Sequence, residues 1–273
     1  MKIRVWFCLV LLLSCPLYIS AMENNIAGDV RAASLGFSGV GDLFTGGSFY
    51  VNPAFFAQSE RSLSTATSEL YGESVYYNFL ETRFRILPSF SAGVGFESIA
   101  DKDNFLGTGY GKQIYTVCLA AKPTEIFQVG FNLNKERFNI ENEESGRGMI
   151  LDLGLACGPW AVGVNQIAFG AKVNNLLYNR RYNSGLKEEG QVQVQYGMTF
   201  RGTSTVTSLD LYKNQLRLGV EYTLAPNIAL RAGLMNGKPS FGFGLAKGQF
   251  QLNYAYWLAN VGATQRIGGS FSF

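Results

Sequence analysis

Apolar and polar side chains alternate with a period of two along most of this chain. Phe250, Leu252, Tyr254 and Tyr256 are separated by Gln251, Asn253 and Ala255, and Leu216, Leu218, Val220 and Tyr222 by Arg217, Gly219 and Glu221. The same order holds for Phe127, Val129, Phe131 and Leu133 against Gln128, Gly130, Asn132 and Asn134. A strand turns successive side chains to opposite faces, so each segment reads as β-structure with one oily and one polar face. Fourteen strands are predicted, near 62–72, 74–86, 89–99, 110–122, 125–140, 147–158, 160–173, 189–201, 203–213, 215–223, 226–236, 239–247, 249–257 and 264–273. An even number is what bacterial membrane barrels use.

Proline cannot donate to a strand ladder and belongs at turns and strand ends. Pro88, Pro123, Pro159, Pro226 and Pro239 all fall at the predicted junctions. The longer connections, ADKDNFLGTG, ENEESGRG, Asn174 to Glu188 and LANVGA, follow odd-numbered strands. With both termini on the periplasmic side, long loops face outward and short turns inward, as in an outer-membrane barrel. A soluble sandwich alternates in the same way, but its water-facing positions would carry many lysines and glutamates. Here the polar face is glutamine, asparagine, serine and glycine, which suits a narrow barrel interior. The expected fold is therefore all-β, a transmembrane antiparallel β-barrel of about 14 strands.

Composition sharpens this picture. Charged residues are 16% of the chain against about 25% in soluble domains, and there are 32 glycines in 273 residues. MKIRVWFCLVLLLSCPLYISA places Lys2 and Arg4 before an apolar run that ends in small residues, the pattern of a secretory signal peptide. The expected division is signal peptide 1–21, an N-terminal segment 22–60 and a barrel 61–273. Leu12 to Cys15 also permits a lipoprotein reading with Cys15 modified, which Pro16 disfavours. A net charge of +3, thinly spread, excludes nucleic acid as the expected partner. No histidine is present, which excludes histidine-based triads and Cys/His zinc sites. Cys118 and Cys157 read as small apolar wall residues, and no cofactor is expected. GVGDLFTGG lacks the Gly-Lys-Ser/Thr continuation of a phosphate loop.

Ala27 to Gln58 does not alternate. Leu35, Phe37, Val40, Leu43, Phe44, Phe49, Tyr50, Phe55 and Phe56 make it more apolar than a disordered leader, the competing reading. Arg31-Ala32-Ala33, Gly36, Gly39, Gly41 and Asn52-Pro53-Ala54-Phe55-Phe56 together resemble the N-terminal region of the FadL-like outer-membrane proteins, closest to the PorV/PorQ branch. Leu218 to Gly237 and Ala171 to Tyr178 resemble stretches of the same branch, so the likeness spans nearly the whole chain after the signal peptide. The resemblance implies a fourteen-stranded barrel whose N-terminal segment folds inward as a hatch. It also implies that a C-terminal strand ending in Phe271 and Phe273 is recognised by the barrel-assembly machinery. This chain is much shorter than the fatty-acid transporters of that type and lacks their long external loops.

Charged residues at expected inward positions are Glu81, Arg83, Arg85, Asp152, Lys172, Arg217, Glu221 and Arg231. They either shape a pathway or, the favoured reading, pair to hold wall and hatch together. Three functions follow. The first is passive passage of small hydrophobic molecules such as long-chain fatty acids across the outer membrane. The second is a PorV-like barrel that binds cargo or partner subunits of a secretion apparatus. A barrel enzyme is the third and the least supported, since such hydrolases lean on histidine.

Overall fold

The structure is a computed structural model that describes residues 28–45, 47–58, 61–70, 75–101, 110–140, 144–259 and 262–273. The expected signal peptide and Cys15 lie outside the described residues. Fourteen strands build the wall: β1 Ser62–Leu70, β2 Val75–Leu87, β3 Phe90–Asp101, β4 Tyr110–Thr124, β5 Phe127–Ile140, β6 Glu144–Val162 and β7 Asn165–Tyr182. They continue with β8 Gln193–Arg201, β9 Thr205–Tyr212, β10 Gln215–Ala225, β11 Ile228–Met235, β12 Lys238–Lys247, β13 Phe250–Ala259 and β14 Gly262–Ser272. A two-residue piece, Lys187–Glu188, pairs with the outer end of β7.

Each strand pairs antiparallel with the next, and β1 pairs with β14 from Ser62↔Ser272 to Glu69↔Gln265. The sheet is therefore closed, and no wall strand presents an unpaired edge, the condition for crossing a bilayer with strands. Burial is inverted relative to a soluble protein. Leu80, Val94, Val117, Leu133 and Leu252 are exposed, each by 43% or more, whereas Glu81, Gln128, Glu136 and Asp210 are wholly buried. An oily exterior around a polar interior is the barrel arrangement and not that of a sandwich.

Turns after β2, β4, β6, β8, β10 and β12 have two or three residues, so these connections form the short-turn rim. On the opposite rim β6 and β7 run for 19 and 18 residues. About ten residues cross a membrane, so this hairpin projects well beyond it. That corrects the sequence reading in which Asn174 to Glu188 was a loop: β7 continues to Tyr182. Above the bilayer both faces of a strand meet water, and the alternation that marks a strand disappears. The segment ENEESGRG likewise belongs mostly to β6, which starts at Glu144.

The prolines need correction too. Pro88 and Pro226 occupy turns, but Pro123, Pro159 and Pro239 lie within β4, β6 and β12. Pro123 and Pro159 sit where the register shifts, between Ala121 and Thr124 and between Cys157 and Trp160. A bulge leaves a residue out of the ladder, which removes the need for the missing N–H.

Candidate functional site

Within the closed wall lie residues 28–45 and 47–58. A short helix, α1 (Val30–Ser34), opens on Asp29, whose carboxylate accepts from the Ala32 N–H at 2.8 Å, and it packs against β11 to β14. The chain then turns through Phe37 at φ 56° and runs to a 3₁₀ turn at Pro53–Gln58, set against β4, β5 and β6. Leu35, Val40, Phe49, Asn52, Ala54 and Phe55 are each 2% exposed or less.

Part of the excess of glycine is explained by this contact. Gly130 and Gly154 pair directly across β5 and β6, Gly170 and Gly197 across β7 and β8, and Gly219 and Gly233 across β10 and β11. All six face the segment. A Cβ at Gly130 would overlap the Pro53 carbonyl, one at Gly154 the Asn52 amide, and one at Gly233 the Gly36 nitrogen. Val40 and Gly41 are wedged between Gly170 and Gly197: a Cβ on Gly170 would strike the Val40 carbonyl, and one on Gly197 would lie 2.7 Å from the Gly41 nitrogen. Wall and segment therefore meet backbone to backbone, a spacing that any larger residue forbids.

The Asn-Pro-Ala stretch sits at the centre of this contact. The Asn52 amide donates to the carbonyls of Val40 at 2.8 Å and Leu155 at 3.1 Å, and its oxygen accepts from the Ala54 N–H at 3.0 Å. It thereby ties two passes of the segment to β6. Pro53 starts the 3₁₀ turn, and its carbonyl covers Gly130 and lies 4.0 Å from the Cys118 sulfur. Ala54 and Phe55 pack on Ala156. The side chain of Phe56 lies outside those described.

The charged positions are distributed as follows. Glu81 accepts from the Ser48 hydroxyl at 2.5 Å and pairs with Arg83. Glu221 lies between Arg31 of the segment at 2.8 Å and Arg231 at 2.6 Å, and Arg31 also reaches Asp42 at 2.9 Å. Lys172 donates to the Tyr50 carbonyl at 2.7 Å and Arg217 to the Phe37 carbonyl at 3.2 Å. Asp152 takes the Asn134 amide at 2.8 Å and the Asn175 N–H at 2.9 Å, where β7 bulges. Arg85, two residues beyond Arg83 in β2, is exposed. Phe271 stacks between Phe250 and Phe273, with ring centroids 4.7 and 6.0 Å apart, at the short-turn rim.

Two buried anchors are absent from the sequence-derived set. Asp210 accepts from the Gly39 N–H at 2.8 Å, the Val40 N–H at 3.0 Å and the Gln195 amide at 3.0 Å. Arg266 donates to the Gly28 carbonyl at 2.6 Å and to the Ser68 hydroxyl, with its guanidinium 4.3 Å from the Tyr77 ring centroid and 5.4 Å from that of Trp257. Both occupy inward positions by alternation, Asp210 between Leu209 and Leu211, and Arg266 beside the outward Ile267. Parity along each strand is the signal that finds them.

Two kinds of space adjoin the segment. On the short-turn side lies a cavity of about 540 Å³ whose lining includes Arg31, Arg83, Glu221, Arg231 and Asn253. Toward β1, β2 and β13 the contact is apolar: Trp257 meets Phe37 edge-on at 5.4 Å, and Tyr50 meets Phe79 at 5.4 Å. Leu70 and Val75, on the long-loop side, join this cluster, and Phe79, Val30 and Ala66 also line the cavity. One apolar cluster thus links Leu70 and Val75 to residues that line the cavity, with the Arg266 guanidinium lying against its Tyr77 and Trp257 rings. Outside the wall strands, Glu188 is paired with Arg180 at 3.0 Å and accepts from the Tyr182 hydroxyl at 2.6 Å. Partial burial raises its pKa, yet that hydrogen bond and the Arg180 charge prevail and hold it below the ordinary glutamate value.

No protein-family model and no curated protein sequence matches the chain. Solved structures do. The toluene transporter TbuX of Ralstonia pickettii aligns with TM-score 0.64 and 11% identity over 92% of this chain and 99% of that one. TodX, the toluene transporter of Pseudomonas putida, aligns at 0.60 and 10% over 94% and 98%. A FadL homologue of Pseudomonas aeruginosa aligns at 0.55 and 10% over 94% and 100%. At such identities the likeness establishes the fold: this wall has the architecture of the FadL-type barrels.

Proposed function

We propose that this chain is a FadL-like barrel of the bacterial outer membrane through which small hydrophobic molecules pass passively, with residues 28–58 as the hatch across its lumen. The observation that carries this reading is the apolar cluster between segment and wall, from Leu70 and Val75 past Trp257, Phe37, Tyr50 and Phe79 to the cavity. A polar interior repels an oily solute. A cluster of aromatic rings offers it a low-polarity surface beside the polar wall, and aromatic packing tolerates sliding because the contacts are broad and non-directional. The fold it shares with proteins described as toluene transporters supports the same class of solute.

Within that class, long-chain fatty acids are the candidate suggested by the sequence resemblance, and toluene-sized aromatics the one suggested by the compared structures. The PorV/PorQ likeness and a secretion role draw no support from those structures. The test is uptake of a labelled long-chain fatty acid and of labelled toluene by a deletion strain, with profiling of its secreted proteins. Reduced uptake of either solute, restored by the wild-type chain but not by Trp257→Asp, is expected. Unchanged uptake with lost secretion overturns the proposal.

A further inference from the structure

Gly269 differs from the glycines that face the segment. It points outward in β14, paired with Thr65 and Leu252, and a Cβ placed on it would meet only the Gln251 carbonyl, at 3.4 Å. Packing leaves room for a side chain here, yet none is present. The consequence is a dent in the oily exterior: a groove of about 480 Å³ at the closing seam, floored by Gly269 and walled by Leu63, Leu245, Leu252, Phe250 and Phe271. The volume is that of a small-molecule site, and almost all of the lining is hydrocarbon.

Two observations identify what fills it. The first is depth. The Phe250, Phe271 and Phe273 rings stack at one end of the groove, and aromatic girdles of membrane barrels lie at the bilayer interface. The groove therefore begins at headgroup level on the short-turn side and runs toward the bilayer centre. The second is charge. Lys247 stands at that end and is exposed. Elsewhere on the short-turn rim stand Arg61 and, on strands away from the groove, Arg85, Arg201 and Lys122, the last paired with Glu125.

We infer that the groove binds one glycerophospholipid of the adjoining leaflet, with an acyl chain over Gly269 and the phosphate on Lys247. A cation at the mouth of an apolar slot complements an anionic headgroup joined to a hydrocarbon tail, and a single lysine near a charged lipid surface is worth about a five-fold change in binding. The inference stands apart from what passes through the lumen, because the groove is on the outside of the wall.

Native mass spectrometry of the full barrel in detergent, titrated with palmitoyl-oleoyl phosphatidylglycerol and separately with uncharged dioleoylglycerol, tests it. One phosphatidylglycerol should be retained, more tightly than the diacylglycerol and without displacement by inorganic phosphate. Lys247→Gln should weaken it roughly five-fold, to the level of the diacylglycerol. Gly269→Leu, which fills the groove, should abolish retention of both lipids while the barrel keeps its heat-modifiable gel mobility. Should Gly269→Leu fail to fold, the exposed Lys247→Gln decides the matter alone. Equal retention by wild type and Lys247→Gln, equal affinity for the two lipids, or displacement by phosphate overturns the proposal.

Discussion

Placing a methyl group on Gly170 tests the backbone-to-backbone seating of the segment most directly. The new Cβ would overlap the Val40 carbonyl oxygen, and it would stand 2.7 Å from the Val40 carbonyl carbon and 3.0 Å from Gly41 Cα. A relaxed C···O contact is about 3.3–3.6 Å, so Val40 must retreat by roughly 1.5 Å. Gly197 on the neighbouring strand blocks a sideways escape. Retreat stretches the Val40 N–H bond to Asp210 at 3.0 Å and the Asn52 bond to the Val40 carbonyl at 2.8 Å. Overpacking costs about 1–3 kcal/mol and each of the two weakened hydrogen bonds about 1 kcal/mol, which together suggest about 3–5 kcal/mol. With a urea slope of a few kcal/mol per molar, the unfolding midpoint of Gly170→Ala should fall by roughly 1 M. Gly111→Ala is the control, since nothing lies within 4 Å of a Cβ there. Cys118 supplies a second readout in a Cys157→Ser background: its sulfur is buried beside the Pro53 carbonyl, and lifting the segment exposes it to a water-soluble maleimide. Gly170→Ala should label faster than Gly111→Ala under native conditions. Equal midpoints and equal labelling of the two variants would refute the claim that glycine is required there by contact with the segment.

Other substitutions probe the remaining contacts. Glu221→Ala leaves Arg31 and Arg231 facing each other without their shared carboxylate and should cost about 3–5 kcal/mol, whereas Glu221→Asp should restore part of it; urea unfolding in detergent measures both. Asn52→Asp replaces two amide donations with a charge facing carbonyl oxygens and should release the segment to protease while the wall stays folded, read by trypsin cleavage against gel mobility. Deleting Phe273 should lower the yield of assembled barrel in cells while leaving the wall's urea midpoint within about 1 kcal/mol, since its ring is half exposed. Glu188 has a lowered pKa, so its contribution to the outer connection is present above the ordinary glutamate value of about 4.3 and is lost as pH falls through the lowered one. Protease cleavage within 183–192 should be equally slow at pH 6 and pH 8 and accelerate only under acid; acceleration between pH 8 and 6 would contradict this sign.

The wall was legible because lipid enforces alternation on every residue that touches it: Leu252, Tyr254 and Tyr256 cannot slip by one position without turning Asn253 and Gln251 into hydrocarbon. Where that constraint ends, so did the reading, as at the outer part of β7, where Asn179, Arg180 and Arg181 stand clear of the bilayer. The six paired glycines were visible as an excess but not as a binding surface, since glycine's information lies in what occupies the space it leaves. Asp210 and Arg266 carried a parity signal, yet their partners, the Gly39 and Val40 N–H groups and the Gly28 carbonyl, are backbone groups that no residue pattern advertises.

The bond from Arg266 to the Gly28 carbonyl joins two portions of the chain 238 positions apart. The pairing of β1 with β14 likewise joins distant portions of the chain. Neither can form until β14 has been made, so the segment and β1 lack their final partners until then. A polypeptide wired in this way leaves its greasy strands open to wrong pairings until β14 arrives.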